Sequence, residues 1–413
     1  LIVAGLTVVI ILLAGLYPAF VQSAFRPAIS LKGAGTMSFR GLTLRKSLVF
    51  LQFAISQILI VGTLVVANQM DFFRNQDLGF DKEAVISFYV FAEKNRPLMA
   101  QQLRTDPGVK DFCFSSSAPV GNGYFGPFSA PHLGRPNDDV TELKFVDTHY
   151  VKMFGIKLLA GENIRIRKET DSPNNVVVNE TLIKKLGITG PQKAIGQHFR
   201  QAGSTCVIRG VVQDFQSESK HKARRPCILI YEDNALFSAS VKLHPGNMRQ
   251  TIDRIDKAWS KLNPDELFAF DFIDDRIAGM YRQEQKAYTA FRMFSVLAII
   301  IGCLGLYGLV AFASVQRTKE VGIRKVLGAS IPDIVMLFAK EFLLLITIAF
   351  VIAAPVAWII MNNWLDNFAY RVDIGFFTFL VAVAASFIIA AITIAHQAVK
   401  AALANPVKSL RTE

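Results

Sequence analysis

Arg317-Thr-Lys-Glu-Val-Gly-Ile-Arg-Lys-Val-Leu-Gly-Ala-Ser330 lies between two long apolar segments, 295–315 and 334–361. A polar stretch this short, flanked by segments long enough to cross a bilayer, reads as a loop at a membrane face. At about 100° per residue, Ile323, Val326 and Leu327 share one face, and Arg324, Lys325 and Gly328 share the other. The pattern predicts a short amphipathic helix lying along the surface, with a basic side offered to a partner. Arg317, Lys319, Arg324 and Lys325 outnumber Glu320 and Asp333, which predicts a cytoplasmic position. The same residues also suit an interfacial linker that serves topology alone.

The composition agrees with a membrane setting. The 413 residues are 52% hydrophobic, with a mean hydropathy of +0.34, yet 19% are charged. That balance fits membrane spans joined to a large aqueous part. The net charge of +12 does not point to nucleic acid, because the basic residues form no aromatic-interleaved patch. Many flank apolar runs, where topology accounts for them. Of four cysteines, Cys303 lies in an apolar run, while Cys113, Cys206 and Cys227 lie in the polar middle. An odd number there argues against a full disulfide framework, leaving a Cys206–Cys227 bridge or buried free thiols.

Working outward, 1–22 is an apolar span and 23–47 a basic cytoplasmic linker. Residues 48–70 form a second span carrying Gln52, Ser56 and Gln57, polar groups expected to face other helices. Residues 71–275 contain no span. Strands are expected at 85–90, 143–146, 175–178, 206–212, 228–231 and 240–243, with an extended segment at 267–273. Helices are expected at 94–104 and 247–262, so the region is α/β. The Pro/Gly-rich stretch 118–136 reads as an exposed loop. From Arg276, apolar residues recur at helical spacing without a breaker, which predicts one continuous helix. Its stalk, 276–294, would run into a span at 295–315; a surface helix followed by a kink is the alternative. Gly302, Gly305 and Gly308 repeat at three and suit close helix packing. After the loop 316–333, a span at 334–361 contains Glu341, expected at an edge or paired with Lys340. An outer loop at 362–374, a span at 375–397 and a cytoplasmic tail at 398–413 complete the chain. The fold class expected is a membrane α-helical bundle of about five transmembrane helices with an inserted α/β domain.

Lys319-Glu-Val-Gly-Ile-Arg-Lys-Val-Leu-Gly-Ala-Ser330 resembles the signature loop of FtsX/MacB-type ABC transporter permeases. Phrases in the middle region, Asp147–Gly161, Val178–Thr181 and Gly210–Phe215, resemble that family's MacB-like periplasmic domain. Pro27–Lys32 resembles Pro406–Arg411, each following an apolar span, which suggests tandem duplication. The resemblance implies the C-terminal half of a double-length permease in the bacterial inner membrane, its large domain in the periplasm. It implies a coupling helix whose contacts on a cytoplasmic ABC ATPase dimer are Glu320, Val321, Gly322, Ile323, Arg324, Lys325, Leu327 and Gly328. Other implied partners are a second permease half, membrane lipid, and a periplasmic adaptor or substrate protein. Movement would pass from the ATPase up the stalk to the outer domain, in export or extraction of a substrate.

Chemistry of its own is not expected of the chain. It has no Gly-x-x-x-x-Gly-Lys-Ser/Thr, no Gly-x-Ser-x-Gly, and six histidines without metal-ligand spacing. Asp271, Asp274 and Asp275 read as a solvated helix start. No catalytic residue, metal or cofactor is expected, and no nucleic acid. The competing reading is a membrane-anchored periplasmic sensor or scaffold that acts without an ATPase.

Overall fold

The computed structural model describes residues 39–402, apart from 76, 91–92, 122 and 167–173, together with 5 and 12. The expected span at 1–22, most of the linker after it, the end of the tail and the paired motifs at 27–32 and 406–411 lie outside the described residues. In chain order the elements are α1 (Phe39–Asn75), β1 (Val85–Tyr89), α2 (Asn95–Thr105), β2 (Val109–Ser115), β3 (Tyr124–Ala130), β4 (Arg135–Phe145), α3 (Tyr150–Met153), β5 (Leu158–Gly161), β6 (Asn174–Asn179), α4 (Glu180–Lys185), α5 (Pro191–Ala194), β7 (His198–Gln201), β8 (Ser204–Val212), β9 (Cys227–Ile230), β10 (Ser238–Leu243), α6 (Met248–Leu262), β11 (Phe270–Phe272), α7 (Ile273–Met280), α8 (Arg282–Gln316), α9 (Thr318–Val326), α10 (Ile331–Leu365) and α11 (Phe376–Ala402). They divide into two compact units. One comprises the described parts of Leu1–Gln57, Leu297–Ala353 and Val383–Glu413, and the other Ile58–Val296 with Ala354–Ala382.

The second unit holds the α/β region. β1, β2, β10 and β11 form an antiparallel sheet in the order β11-β1-β10-β2. With α2 after β1 and α6 after β10, this is a βαββαβ arrangement. Alternation along β1 sends Ile86 and Phe88 to the helical side, where they meet Met99 and Leu103 of α2 and Ile255 and Trp259 of α6. α6 buries Thr251, Ile255 and Trp259 at four-residue intervals, and the Trp259 indole N–H donates to Tyr89 O at 2.8 Å.

Between β2 and β10 the chain inserts a seven-stranded mixed sheet, ordered β5-β8-β6-β9-β4-β3-β7. A further β7–β8 pairing closes six of these strands into a ring. Valine and isoleucine dominate β6, β8 and β9, as a pleated, half-buried surface favours. Val176, Val178, Ile208, Val211 and Ile228 pack with Leu182 and Ile183 of α4. Val177, Val212 and Leu229 join Val85 and Cys113 of the four-stranded sheet in a shared core around Tyr150 and Phe154.

Two expectations fail here. The stretch 118–136 is not a loop throughout, since β3 runs through it between β4 and β7. Nor is the helix continuous from Arg276, although α8 runs unbroken from Arg282 to Gln316 and so joins most of the expected stalk to the span. α7 ends at Met280, Tyr281 adopts φ −110°, ψ 16°, and α8 starts afresh at Arg282.

Among the described residues, four helices are long and apolar enough to cross a membrane: 46–73, 282–316, 331–365 and 376–397. α8 and α10 each have 35 residues, about 52 Å at 1.5 Å per residue, well beyond the ~30 Å of a bilayer core. α10 continues through Pro355.

Candidate functional site

α9 is built as a separate short helix. Arg317, at φ −97° and ψ 17°, interrupts the path from α8. The far end closes on Gly328, whose φ of +93° is open to glycine and strained for other residues. Around it, the Ala329 amide donates to Arg324 O at 2.9 Å and the Gly328 amide to Lys325 O at 3.1 Å, a glycine-terminated helix end. Ser330 then caps α10, its amide donating to Asp333 Oδ2 at 3.0 Å and its hydroxyl to the same oxygen at 2.5 Å.

This geometry sorts the expected contact residues. Val321 and Gly322 are buried, Val321 at 7% exposure, and face their own unit. Glu320 and Lys325 are half-buried, and Glu320 pairs with Arg324 at 2.9 Å, one turn on. Arg324 and Gly328 are exposed, and Ile323, Val326 and Leu327 are 53%, 68% and 80% exposed. An outward apolar triad with a cation beside it suits a docking face, whereas Val321 and Gly322 hold the helix down.

The support of α9 was not foreseen. Glu341 of α10 does not pair with Lys340; neighbours one apart on a helix do not face each other. It is held by Lys46 of α1 and by Arg317, at 2.9 Å, immediately before α9. One carboxylate thus ties three helical elements beside the loop. Behind it, α8 approaches α1 closely. A Cβ on Gly305 would stand 2.3 Å from Gln52 Oε1, and one on Gly302 would stand 3.8 Å from Ser56 Oγ. Gly308, expected to pack with the other two glycines, is instead exposed, with nothing within 4 Å of an added Cβ among the described residues, so it packs no described helix. Ser56 and Gln57 are buried, and the Gln57 amide reaches Ile346 O at 3.4 Å.

Elsewhere, no group of three or more His, Cys, Asp or Glu among the described residues could hold a metal ion. All four cysteines are free, so Cys206 and Cys227 are not bridged, and burial pushes the Cys113 and Cys227 thiols well above their ordinary range. Asp274 and Asp275 occupy the first turn of α7. Glu142 and Lys144, on one face of β4, form a fully buried pair at 2.9 Å, and Lys144 also donates to Ser117 Oγ and Ala118 O at 3.2 Å. A cavity of about 690 Å³ opens on the serine face of the four-stranded sheet, between Tyr89, Phe237 and Tyr124 on one side and Phe270 and Arg276 on the other.

Comparison with known proteins gives two regional matches. Residues 292–406 match the FtsX-like permease C-terminal region, and 54–257 match the MacB-like periplasmic core domain. The chain is similar to the "Probable syringafactin export ATP-binding/permease protein SyfD" of Pseudomonas syringae pv. syringae, at 20% identity over 61% of this chain and 41% of that protein. It is also similar to the "Probable export ATP-binding/permease protein MacB" of Pseudomonas entomophila, at 22% identity over 54% of this chain and 34% of that protein. The chain therefore spans less than half the length of these curated relatives. Among solved structures, the periplasmic region of MacB from Actinobacillus actinomycetemcomitans aligns with a TM-score of 0.34 at 14% identity, covering 48% of this chain and 92% of that one.

Proposed function

The chain belongs to the FtsX/MacB-type permeases, and from that premise we propose that it is the membrane subunit through which a separate cytoplasmic ABC ATPase drives a conformational change in a folded domain on the opposite side of the bilayer. The observation that carries this reading is α9: a helix set between two membrane-length helices, fastened from behind by Arg317 and Glu341, with Ile323, Val326, Leu327 and Arg324 turned outward. Apolar anchors rimmed by charge are the chemistry of a protein contact. In this reading α9 lies in the cytoplasm, the MacB-like domain lies in the periplasm, and the chain sits in a bacterial inner membrane. ATP-driven closure of the ATPase dimer displaces α9, and the long helices carry the displacement outward. The chain hydrolyses nothing itself and works beside a second permease half. The substrate is exported or extracted on the outer side.

The test is co-purification. Ile323→Asp and Leu327→Asp, singly and together, change the outward face and leave the buried Val321 and Gly322 in place. Loss of the bound ATPase, with the chain still inserted in the membrane, is the expected result. Retention of the ATPase at the unaltered level would reject α9 as the docking face.

A second reading is favoured by the aromatic-walled cavity near Tyr89 and Arg276: a membrane-anchored sensor that binds a ligand outside and needs no ATPase. A native-membrane preparation containing no ATP-hydrolysing partner would support it over the first.

A further inference from the structure

The helical path is interrupted at Tyr281, between α7 and α8, and two consecutive residues from elsewhere in the chain pack beside that joint. Lys220 and His221 lie in the connection between β8 and β9, far in sequence from any long helix. Lys220 is 2% exposed. Its ammonium donates to Phe73 O at 2.9 Å, in the last turn of α1, and sits 5.9 Å from the Phe73 ring centroid. Carbonyls of a helix's final turn lack partners within the helix, and a cation there is favoured. The Lys220 amide donates to the Tyr281 hydroxyl at 3.1 Å, and the Tyr281 ring stacks on Phe73 at 4.9 Å.

His221 reaches the other elements. Its Nε2 lies 2.6 Å from Glu284 Oε1, in the first turn of α8, where Glu284 is buried. Its ring stacks on Phe368 at 4.3 Å, and its carbonyl accepts from the Ala369 amide at 3.2 Å, in the turn between α10 and α11. That turn is held to α1 by Gln69, whose amide donates to Tyr370 O and accepts from the Val372 amide, both at 2.9 Å.

Adjacent Cα atoms are 3.8 Å apart and cannot stretch. Each hydrogen bond is lost beyond about 3.5 Å. The end of α1, the start of α8 and the α10–α11 turn therefore cannot slide by even a fraction of a 5.4 Å helical pitch without breaking a contact or dragging the β8–β9 connection along. β8 and β9 both lie in the closed ring, so the pull enters the inserted sheet directly.

We propose that Lys220 and His221 are positioning residues that clasp the outer ends of the membrane helices to the inserted sheet, and that displacement of those helix ends reaches the outer domain through this clasp. The inference rests on the ATPase-coupling reading above.

The test uses the full chain with its co-purified ATPase in lipid nanodiscs. Cys303 is replaced by Ala, the three buried cysteines are kept, and spin labels are placed at Asp71→Cys and Lys193→Cys, both exposed positions. In the unaltered clasp, trapping with ATP and vanadate is expected to shift the label–label distance. Lys220→Met with His221→Ala is expected to lose at least half of that shift while ATP hydrolysis continues, and Lys220→Arg with His221 kept is expected to restore it. Amide-exchange protection of β6 and β8 serves as the folding control. If the double variant loses it, His221→Phe is used, which keeps a ring on Phe368 and removes the Glu284 contact. A full shift in the folded variant overturns the clasp alone. No shift in the unaltered complex, with the ATPase bound and active, overturns the coupling reading and the clasp with it.

Discussion

Gly305 and Gly308 have the same residue type, helix and spacing signal, yet the structure assigns them opposite responses to substitution. At Gly305 an added Cβ would lie 2.3 Å from Gln52 Oε1, about 1 Å inside ordinary contact. The obstacle is the tip of a side chain whose Oε1 has no hydrogen-bond partner among the described residues, so it can swing aside without losing a bond to any of them. Gly305→Ala therefore costs about 1 kcal/mol in overpacking and recovers about as much from alanine's helix preference, for a net near zero. Gly305→Leu cannot be absorbed in that way. Its branched end must displace Val49 as well, at roughly 2–3 kcal/mol. At Gly308 an added Cβ has nothing within 4 Å among the described residues, so Gly308→Leu gains roughly 0.5–1 kcal/mol of helix propensity. The propensity gain is common to both leucine variants, so they should differ by the overpacking cost, about 2–3 kcal/mol, equivalent to about 5 °C or more in apparent melting midpoint for a unit of this size. The assay is thermal unfolding of the detergent-purified chain, with both alanine variants as controls. Equal destabilisation by Gly305→Leu and Gly308→Leu would refute the packing assigned to this face of α8.

Three further outcomes are expected. Glu341→Gln removes the charge shared by Lys46 and Arg317; because all three side chains are about one-third exposed, the loss should be only about 1 kcal/mol, read from the same melting curves. Glu142→Gln leaves the Lys144 ammonium buried without its counter-charge and should cost roughly 3–5 kcal/mol, whereas Glu142→Leu with Lys144→Met should recover most of that, as judged by resistance to limited proteolysis. Arg254→Gln removes a two-pronged pairing with Asp106, at 2.7 Å on both oxygens, that holds the Asp106 carboxyl below its ordinary 3.8. A carboxyl depressed by folding adds stability above its ordinary value and loses it as pH falls through the depressed one. The variant should be weaker at pH 7, and its deficit should shrink as pH falls below the ordinary value of Asp106, measured as urea midpoints.

Composition and period carried the sequence reading as far as local signals reach. The spans stand out because about twenty apolar residues in a row have few other uses, and β1, β6, β8 and β10 because branched residues cluster there. β3 was hidden by Pro127 and its neighbouring glycines, which read as punctuation; it pairs with β4 in a hairpin that those residues masked, and with β7 about seventy residues away, which no local window contains. The break at Tyr281 left little trace for a related reason. The apolar spacing runs through it, Gly279 two residues earlier is a weak signal inside a helical pattern, and the Tyr281 hydroxyl is engaged by an amide about sixty residues away. At the candidate site the loop was legible as an amphipathic turn of helix, but its inward and outward sides were not. Ile323 and Val321 differ by two positions, and only the packing of the unit decides which is covered. Glu341 shows the same limit, since its partner Lys46 lies 295 residues away while Lys340 stood adjacent.

The insertion of the closed ring between β2 and β10 also orders events during synthesis. β1 has no hydrogen-bonded neighbour until β10 is made, and from Tyr89 to Ser238 the ribosome adds roughly 150 residues, about 10–30 s of elongation. The ring can mature in that interval, while the first two strands of the outer sheet wait with bare edges. The nascent chain is therefore most open to chaperones, and to mispairing with another copy, before residue 238 emerges, and a stalled or truncated product ending there would keep a finished ring and an unfinished sheet.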